Sequence, residues 1–389
     1  MTFVAAVDIG TRHVTCVVGS GDKRLRLEGA ARTEFGGFDK GVLRPDAGLA
    51  DAVQSAVSQA ARQADRKVTE LAVAIGGNDV ECFEGQGIKM IIPKGRQIMP
   101  QDVLEVINHS RSILLPSNAT VIHVVPKTFK VDGQRGIQRP LEMAGSKLEV
   151  ETLIATGNAS ALGAIEAEIE AAGFRVRQFA FGPIVGGLGV LSQEEVERGT
   201  LMIDLGESRI EFAVFVEGSV AYARSLPLGS AFISRDIALL FKTTAEEAER
   251  VKRTAGHAAS AEVGEHETTD VMRADEDFYR QLQRRVLAEV IESRVREMVK
   301  FVRADLEATR YLRFATGIVL TGEGSRLPGL ETVVRSAFDL TVRSDVPTRG
   351  SAAAIGLARF ALQSGEELGP AQASEGWKDR VRRWIKRTG

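Results

Sequence analysis

One short pattern occurs twice, half a chain apart. Val7-Asp8-Ile9-Gly10 and Ile203-Asp204-Leu205-Gly206 each close an apolar run, and each is followed at once by a second β-rich run, "HVTCVVGS" and "SRIEFAVFVEG". A third run follows in both places, "LRLEGAART" and "SVAYARSLPLG". A glycine after the aspartate permits the tight turn between the first two runs. Helical spacing then appears in "DAGLADAVQSAVSQAARQA", and "ELAVAIGG" returns to a buried strand. In the second half the buried strand is "ATGIVLTGEGSRLPGL", which runs into a glycine turn, with "RGSAAAIGLARFAL" as a small-residue helix after it. Strand hairpins joined through crossover helices to further strands describe an α/β sheet. Its duplication predicts two similar lobes facing each other. At 389 residues the chain exceeds what one core accommodates.

Between Val80 and Lys147 the texture changes. "MPQDVLEVINHSRSILLP" predicts a helix opened near Pro100 and stopped at Pro116, and "TVIHVVPKTFKVDGQRG" predicts strands meeting at Asp132-Gly133. In the second half "FISRDIALLF", "AEEAERVKRTAG" and a long stretch from Phe278 to Leu306 read as helices. The expected organisation is a first lobe from 1–80 and 148–197, an α+β subdomain inserted at 81–147, and a second lobe from 198–228 and 307–363. A smaller subdomain occupies 229–306, a polar linker 364–375, and a terminal amphipathic helix 376–389.

The hairpins carry a chemistry. Backbone N–H groups of Gly10 to Arg12 and the Thr11 hydroxyl can face a phosphate, and Asp8 can hold a Mg²⁺ through waters. An isolated Asp-x-Gly turn means little. Two of them plus the Thr-Gly-x-Gly at Thr321–Gly324 describe a nucleotide cleft.

These motifs resemble the actin/Hsp70/sugar-kinase superfamily, and within it the FtsA family of bacterial division proteins. The specific matches are "HVVPKTFKVDGQRGIQRPLEMAGSKLEVE", "GSAFISRDIALLFKTTAEEAERVK", "LAEVIESRVREMVKFVR" and "GIVLTGEGSRLPGL". They spread over most of the chain, and the "VDGQ" block belongs to that family's insertion rather than to kinases or chaperones. The resemblance implies an actin-like (ribonuclease H-like) two-lobed α/β fold. It implies ATP and Mg²⁺ as cofactors, held by Asp8, Gly10, Thr11, Arg12, Asp204, Gly206, Ser208, Gly229, Glu249, Lys252, Gly322, Glu323, Gly324 and Ser325, with Asp8 and Asp204 toward the metal. Without it, Glu249 and Lys252 are an ordinary i,i+3 helix pair.

The sequence departs from the family at the second phosphate loop, where Asp204-Leu-Gly-Glu-Ser-Arg209 replaces Asp-x-Gly-Gly-Gly-Thr, and at Glu323, where a glycine is common. Gly229-Ser230 stands for the usual Gly-Gly. Glu207 falls near the place of the β- and γ-phosphates. Two unit charges about 5 Å apart at an effective dielectric near 20 repel by roughly 3 kcal/mol, and Arg209 is the candidate to offset it. No residue offers itself as a water-activating base, so binding is expected to outrun hydrolysis.

The chain ends in "EGWKDRVRRWIKRTG", with six cations against one aspartate after Trp377, although the net charge of the whole is −2. On a helix, Trp377, Val381, Trp384 and Ile385 form one apolar stripe, flanked by Lys378, Arg380, Arg383, Lys386 and Arg387. Tryptophan favours the water–lipid boundary, and each cation near an anionic surface adds about 1 kcal/mol. The pattern predicts reversible attachment to anionic membrane lipids, with folding on contact. Docking of this tail on the acidic body, or stacking of its tryptophans on nucleic acid, are the competing readings. No other basic groove supports the latter, and no nucleic-acid partner is expected. The preceding "QSGEELGPAQASE" spans about 20 Å as flexible coil of roughly twelve residues.

No run is long and apolar enough for a membrane span. The two cysteines and five histidines show neither disulfide nor zinc spacing, and no basic leader precedes "MTFVAAVDIG", so a cytoplasmic protein at the inner face of the membrane is expected. The resemblance further implies binding of the C-terminal peptide of FtsZ, the tubulin-like division protein, at Ser234, Arg235, Asp236 and Arg294, self-association as a homopolymer, and recruitment of other division proteins. An FtsA-like type IV pilus assembly protein and a sugar-kinase-like phosphotransferase are the alternatives. The former lacks the basic tryptophan tail, and the latter needs a catalytic carboxylate facing a sugar pocket.

Overall fold

A computed structural model describes residues 3–21, 24–39, 42–44, 46–77, 79–111, 115–275 and 278–363. The linker and the terminal helix expected at 364–389 lie outside the described residues. The chain opens with β1 (Phe3–Ile9), β2 (His13–Ser20) and β3 (Arg26–Glu34), then a short ladder of β4 (Phe38–Asp39) and β5 (Val42–Leu43), followed by α1 (Leu49–Ala64) and β6 (Glu70–Ile75). An excursion follows: β7 (Val80–Met90), α2 (Pro100–Ser110), β8 (Ala119–Val131), β9 (Gln134–Ile137) and β10 (Lys147–Asn158). The first plan then resumes with α3 (Ala159–Ala171), β11 (Arg175–Phe181), α4 (Gly182–Val190) and α5 (Gln193–Arg198).

The second half contains β12 (Thr200–Leu205), β13 (Ile210–Val216), β14 (Ser219–Leu226), α6 (Ala231–Phe241), α7 (Ala245–Ala255) and the hairpin β15 (Thr268–Met272) and β16 (Tyr279–Gln283). It ends with α8 (Arg284–Ala308), β17 (Gly317–Thr321), α9 (Leu330–Phe338), β18 (Thr341–Ser344) and α10 (Ala352–Gln363).

The duplication is visible strand by strand. One sheet runs β3-β2-β1-β6-β11 and the other β14-β13-β12-β17-β18. In both, the first three strands are antiparallel and the last two add in parallel. The register is equivalent too: Asp8 lies opposite Thr15 and Ala74, and Asp204 opposite Glu211 and Thr321. Nearly every residue of β1 and β12 is buried, as expected for strands covered on both faces.

Helices α1 and α3 lie against one side of the first sheet and α10 against the other. Helix α10 also packs along α4, and the two approach so closely that a Cβ at Gly356 would sit 1.7 Å from the Val185 carbonyl oxygen. The small-residue composition of "AAAIGLA" therefore serves backbone proximity between α10 and α4.

The excursion forms its own four-stranded sheet, β7-β10-β8-β9, with α2 on one face. Because β10 pairs with β7 and β8 along its length, the inserted sheet runs on to Asn158 rather than closing at residue 147. Its core is Ile91, Ile98, Val103, Ile107, Phe129, Leu148 and Val150 among others. Asp132 and Gly133 turn β8 into β9 with positive φ at both. The Asp132 carboxylate accepts the backbone N–H groups of Ser146 and Lys147.

Helix α2 spans Pro100–Ser110, and its last residue is held by two hydrogen bonds, the Ser110 hydroxyl donating to the Ile107 carbonyl and accepting from Thr152. The expected stop at Pro116 follows residues 112–114, which lie outside the described residues. Residues 279–283 are strand, not helix, since β16 pairs in register with β15 from Met272↔Tyr279 to Thr268↔Gln283, and α8 begins only at Arg284.

Candidate functional site: a cleft between two hairpin tips

A cleft of about 340 Å³ opens where the two Asp-x-Gly hairpins and the turn after β17 converge. Of the predicted positions, Asp8, Gly10, Thr11, Arg12, Asp204, Gly206, Glu249, Lys252, Gly322, Glu323 and Gly324 line it. Ser208, Gly229 and Ser325 lie beside it. Ser208 bonds Thr11. A Cβ on Gly229 would sit 2.2 Å from the Glu207 carbonyl oxygen. Ser325 is buried, donating its hydroxyl to the Thr321 carbonyl.

Three carboxylates form the floor. Asp8 accepts the Ser351 hydroxyl at 2.7 Å, just before α10, and the same Ser351 oxygen accepts the Ala354 N–H. Glu211 is buried, accepts the Gly77 N–H at 2.9 Å and pairs with Arg209 at 3.1 Å. Asp204 sits between them. Burial first, then the negative charges of Glu211 and Asp8, push its pKa up to about 8. Asp8 is raised mainly by burial, against the Ser351 hydrogen bond and the Arg209 charge. Removing carboxylates from water disfavours their charged form, and nearby like charge adds to it. A cation bound at this floor would relieve both effects.

Thr321 is fully buried, lines the same cleft, and its Oγ1 has no hydrogen-bond partner among the described residues. Buried polar atoms are rarely left unpaired. The combination of that hydroxyl with a floor of three carboxylates whose charge is disfavoured by burial fits a polar ligand accompanied by a cation. Gly322 has φ +83°, and a Cβ there would lie 2.2 Å from Asp204 Oδ1, so only glycine brings the turn this near the aspartate.

The cleft walls are ion-paired by the chain itself. Arg12 grips Glu207 with two nitrogens, at 2.8 and 2.6 Å. Arg32 reaches Glu323 at 2.8 Å and His13 Nδ1 at 2.7 Å. Lys252 is buried and bonds Glu249 at 2.6 Å, the Ser234 hydroxyl at 2.9 Å and the Ser230 carbonyl at 3.1 Å. Burial depresses the lysine's pKa, and Glu249 holds it partly up. The expected role of Arg209 as counter-charge to Glu207 is not what is seen: Arg209 is taken by Glu211, and Arg12 of the other hairpin is the cation that meets Glu207. Arg32, Ser351, Glu211 and Thr321 are site residues that the sequence did not single out. Only Thr321 stood inside a recognised motif.

The four positions expected to bind a peptide separate into two environments. Asp236 and Arg294 form a two-pronged pair at 2.6 and 2.9 Å, on α6 and α8. Arg235 is exposed. Ser234 instead faces inward, bonding Glu249 and Lys252 in the cleft wall.

The family model "Cell division protein FtsA" matches residues 201–361, and "SHS2 domain inserted in FTSA" matches residues 77–156, which span the four-stranded excursion. The "Cell division protein FtsA" of Borreliella burgdorferi is 30% identical over 348 residues, covering 88% of this chain and 84% of that protein. The chain belongs to the FtsA family of cell division proteins. The FtsA of Escherichia coli K12 is 28% identical over 406 residues, covering 99% of this chain and 96% of that one. Among solved structures, the PilM-PilN type IV pilus biogenesis complex aligns with TM-score 0.67 at 18% identity, covering 92% of this chain and 98% of that one. MreB5 of Spiroplasma citri bound to ADP aligns with TM-score 0.55 at 12% identity, covering 99% of both chains. At these identities the structural neighbours share the actin-like fold and nothing finer. As an FtsA-family member this is a cell division protein. No helix among its described residues is long and apolar enough to cross a membrane.

Proposed function

We propose that this FtsA-family protein tethers FtsZ filaments to the inner face of the cytoplasmic membrane, at the division site. It self-associates there as an actin-like polymer and recruits later division proteins. A nucleotide in the cleft serves as its state switch. The observation that carries the switch is the cleft itself, where two equivalent hairpins, an unpaired buried Thr321 hydroxyl and a carboxylate floor meet. MreB5, of the same fold, has been solved with ADP and with AMPPNP.

Thr11 and Ser208 would face the phosphate chain, and Glu249 and Lys252 the nucleoside. Asp8 and Asp204 would hold Mg²⁺. Two carboxylates alone would leave most of such a cation's coordination to waters and phosphate oxygens. The cation supplies charge neutralisation for phosphate against the acidic floor.

Attachment to lipid rests on the terminal stripe of Trp377, Val381, Trp384 and Ile385 and its flanking cations. For the FtsZ peptide, Arg235 offers an exposed guanidinium. A peptide carboxylate can exchange with Asp236 on Arg294.

Calorimetric titration with ATP and Mg²⁺ tests the switch. Binding with a dissociation constant in the micromolar range is expected. The absence of heat at high micromolar concentration would mean that Glu207 and Glu323 mark a site that no longer takes nucleotide.

A further inference from the structure

The residue that departs most plainly from the phosphate-loop pattern is also the one that joins the lobes. Glu207 lies at the tip of the β12–β13 hairpin and Arg12 at the tip of the β1–β2 hairpin. Both guanidinium nitrogens named above engage both carboxylate oxygens. Beside this pair the Thr11 and Ser208 hydroxyls bond each other at 2.5 Å. Through these contacts the two tips touch each other directly.

The loop that carries Glu207 is fixed from behind. The Ser230 and Ala231 N–H groups, at the start of α6, donate to the carbonyls of Gly206 and Glu207. A ready anion site at that helix start is thereby already occupied by the loop's own backbone. Its nearest cation in sequence, Arg209, is committed to Glu211. Glu207 thus has one strong partner, and that partner belongs to the other lobe. A second cross-lobe pair, Arg32 with Glu323, lies at the other position where a glutamate stands for a glycine. Both pairs keep substantial solvent exposure. Exposed pairs are individually weak, which suits contacts that must open.

We propose that Glu207 is an internal anion that latches the hairpin tips, so that the cleft closes without ligand and a phosphate chain reaching the tips must displace it. The latch itself is independent of any ligand. Its consequence for binding rests on the nucleotide reading above: a triphosphate competes with Glu207 for Arg12, whereas a diphosphate, being shorter, leaves the pair largely in place. Glu207 is then a selectivity residue for phosphate-chain length.

Two readouts on the full-length protein separate the latch from the nucleotide reading. Spin labels at exposed Gln54 on α1 and Glu246 on α7 report the distance between lobes without nucleotide. A single short distance is expected for the parent, with broadening toward longer values in Glu207→Gly and Glu207→Gln. The exchanged pair Arg12→Glu with Glu207→Arg restores the short distance. Calorimetry with Mg²⁺ then compares ATP and ADP. Glu207→Gly should tighten ATP by about tenfold, equal to ~1.4 kcal/mol, and ADP by less than about threefold. Unchanged distances in Glu207→Gly and Glu207→Gln would overturn the latch, whatever the calorimetry shows. Equal gains for ATP and ADP would overturn the selectivity role. If neither nucleotide binds the parent or Glu207→Gly, the nucleotide reading falls and the distances still decide the latch.

Discussion

Gly322 shows how a single position limits the cleft. Its φ of +83° suits no side chain, and its missing Cβ would collide with Asp204 at 2.2 Å. Gly322→Ala is expected to destabilise the protein by about 1–3 kcal/mol, from backbone strain and displacement of a buried carboxylate. A fall of several degrees in the thermal midpoint would register it, and an unchanged midpoint would mean that the turn adjusts freely. Residues with a motif around them were legible in the sequence: Asp8, Asp204 and Gly322 do line the cleft. Their partners were not. Arg12 meets Glu207 and Arg32 meets Glu323 only because the fold brings distant segments together. Local charge spacing pointed to Arg209 instead, and the alternation of β13 cannot reveal that Glu211, in register opposite Asp204, binds that arginine first.

At the scale of elements, the strands and helices with clear periodicity were legible and their ends were not. The "VDGQ" turn was readable from Asp-Gly chemistry. The strand at Tyr279–Gln283 was hidden because its pairing with Thr268–Met272 runs across a connection that carries no helix or strand signal of its own. At the described end of α2 the Ser110 hydroxyl accepts from Thr152 on β10, a contact that no local pattern announces. A long-range tie of the same kind holds α5 to β18. Glu195 caps α5 through the Ser192 N–H and is gripped by Arg343 at 2.7 and 2.8 Å. The Arg343 hydrogen bonds hold the Glu195 pKa down to about 2. A carboxylate depressed from about 4.5 in the unfolded chain stabilises the fold fully above that pH and loses its contribution as pH falls toward 2. Glu195→Gln is therefore expected to melt below the parent at pH 7. The gap should narrow from about pH 4.5 downward. A gap that does not depend on pH would show that packing, not charge, sets the contribution of this residue.

For the whole molecule, the duplicated sheets explain why the fold could be read from two four-residue patterns: each Asp-x-Gly hairpin is the start of an equivalent sheet. The excursion inserted in the first lobe is tied to the second lobe through Tyr311, which stacks on Tyr222 with ring centroids 4.9 Å apart and accepts Lys127 Nζ at 2.6 Å. The Ser219 hydroxyl adds a bond to the Pro126 carbonyl. The inserted sheet therefore contacts both lobes, and any change in their separation has to be accommodated at these side chains. The other half of the proposed role lies in the charged, aromatic terminal stripe, whose pattern is readable without any tertiary contact. Co-flotation of FtsZ with anionic vesicles tests the tether most directly, using the full chain, a chain ending at Gln363, and the double variant Trp377→Ala with Trp384→Ala. The full chain is predicted to carry FtsZ to the vesicle fraction while both altered forms leave it behind; equal flotation of FtsZ with all three would contradict the account.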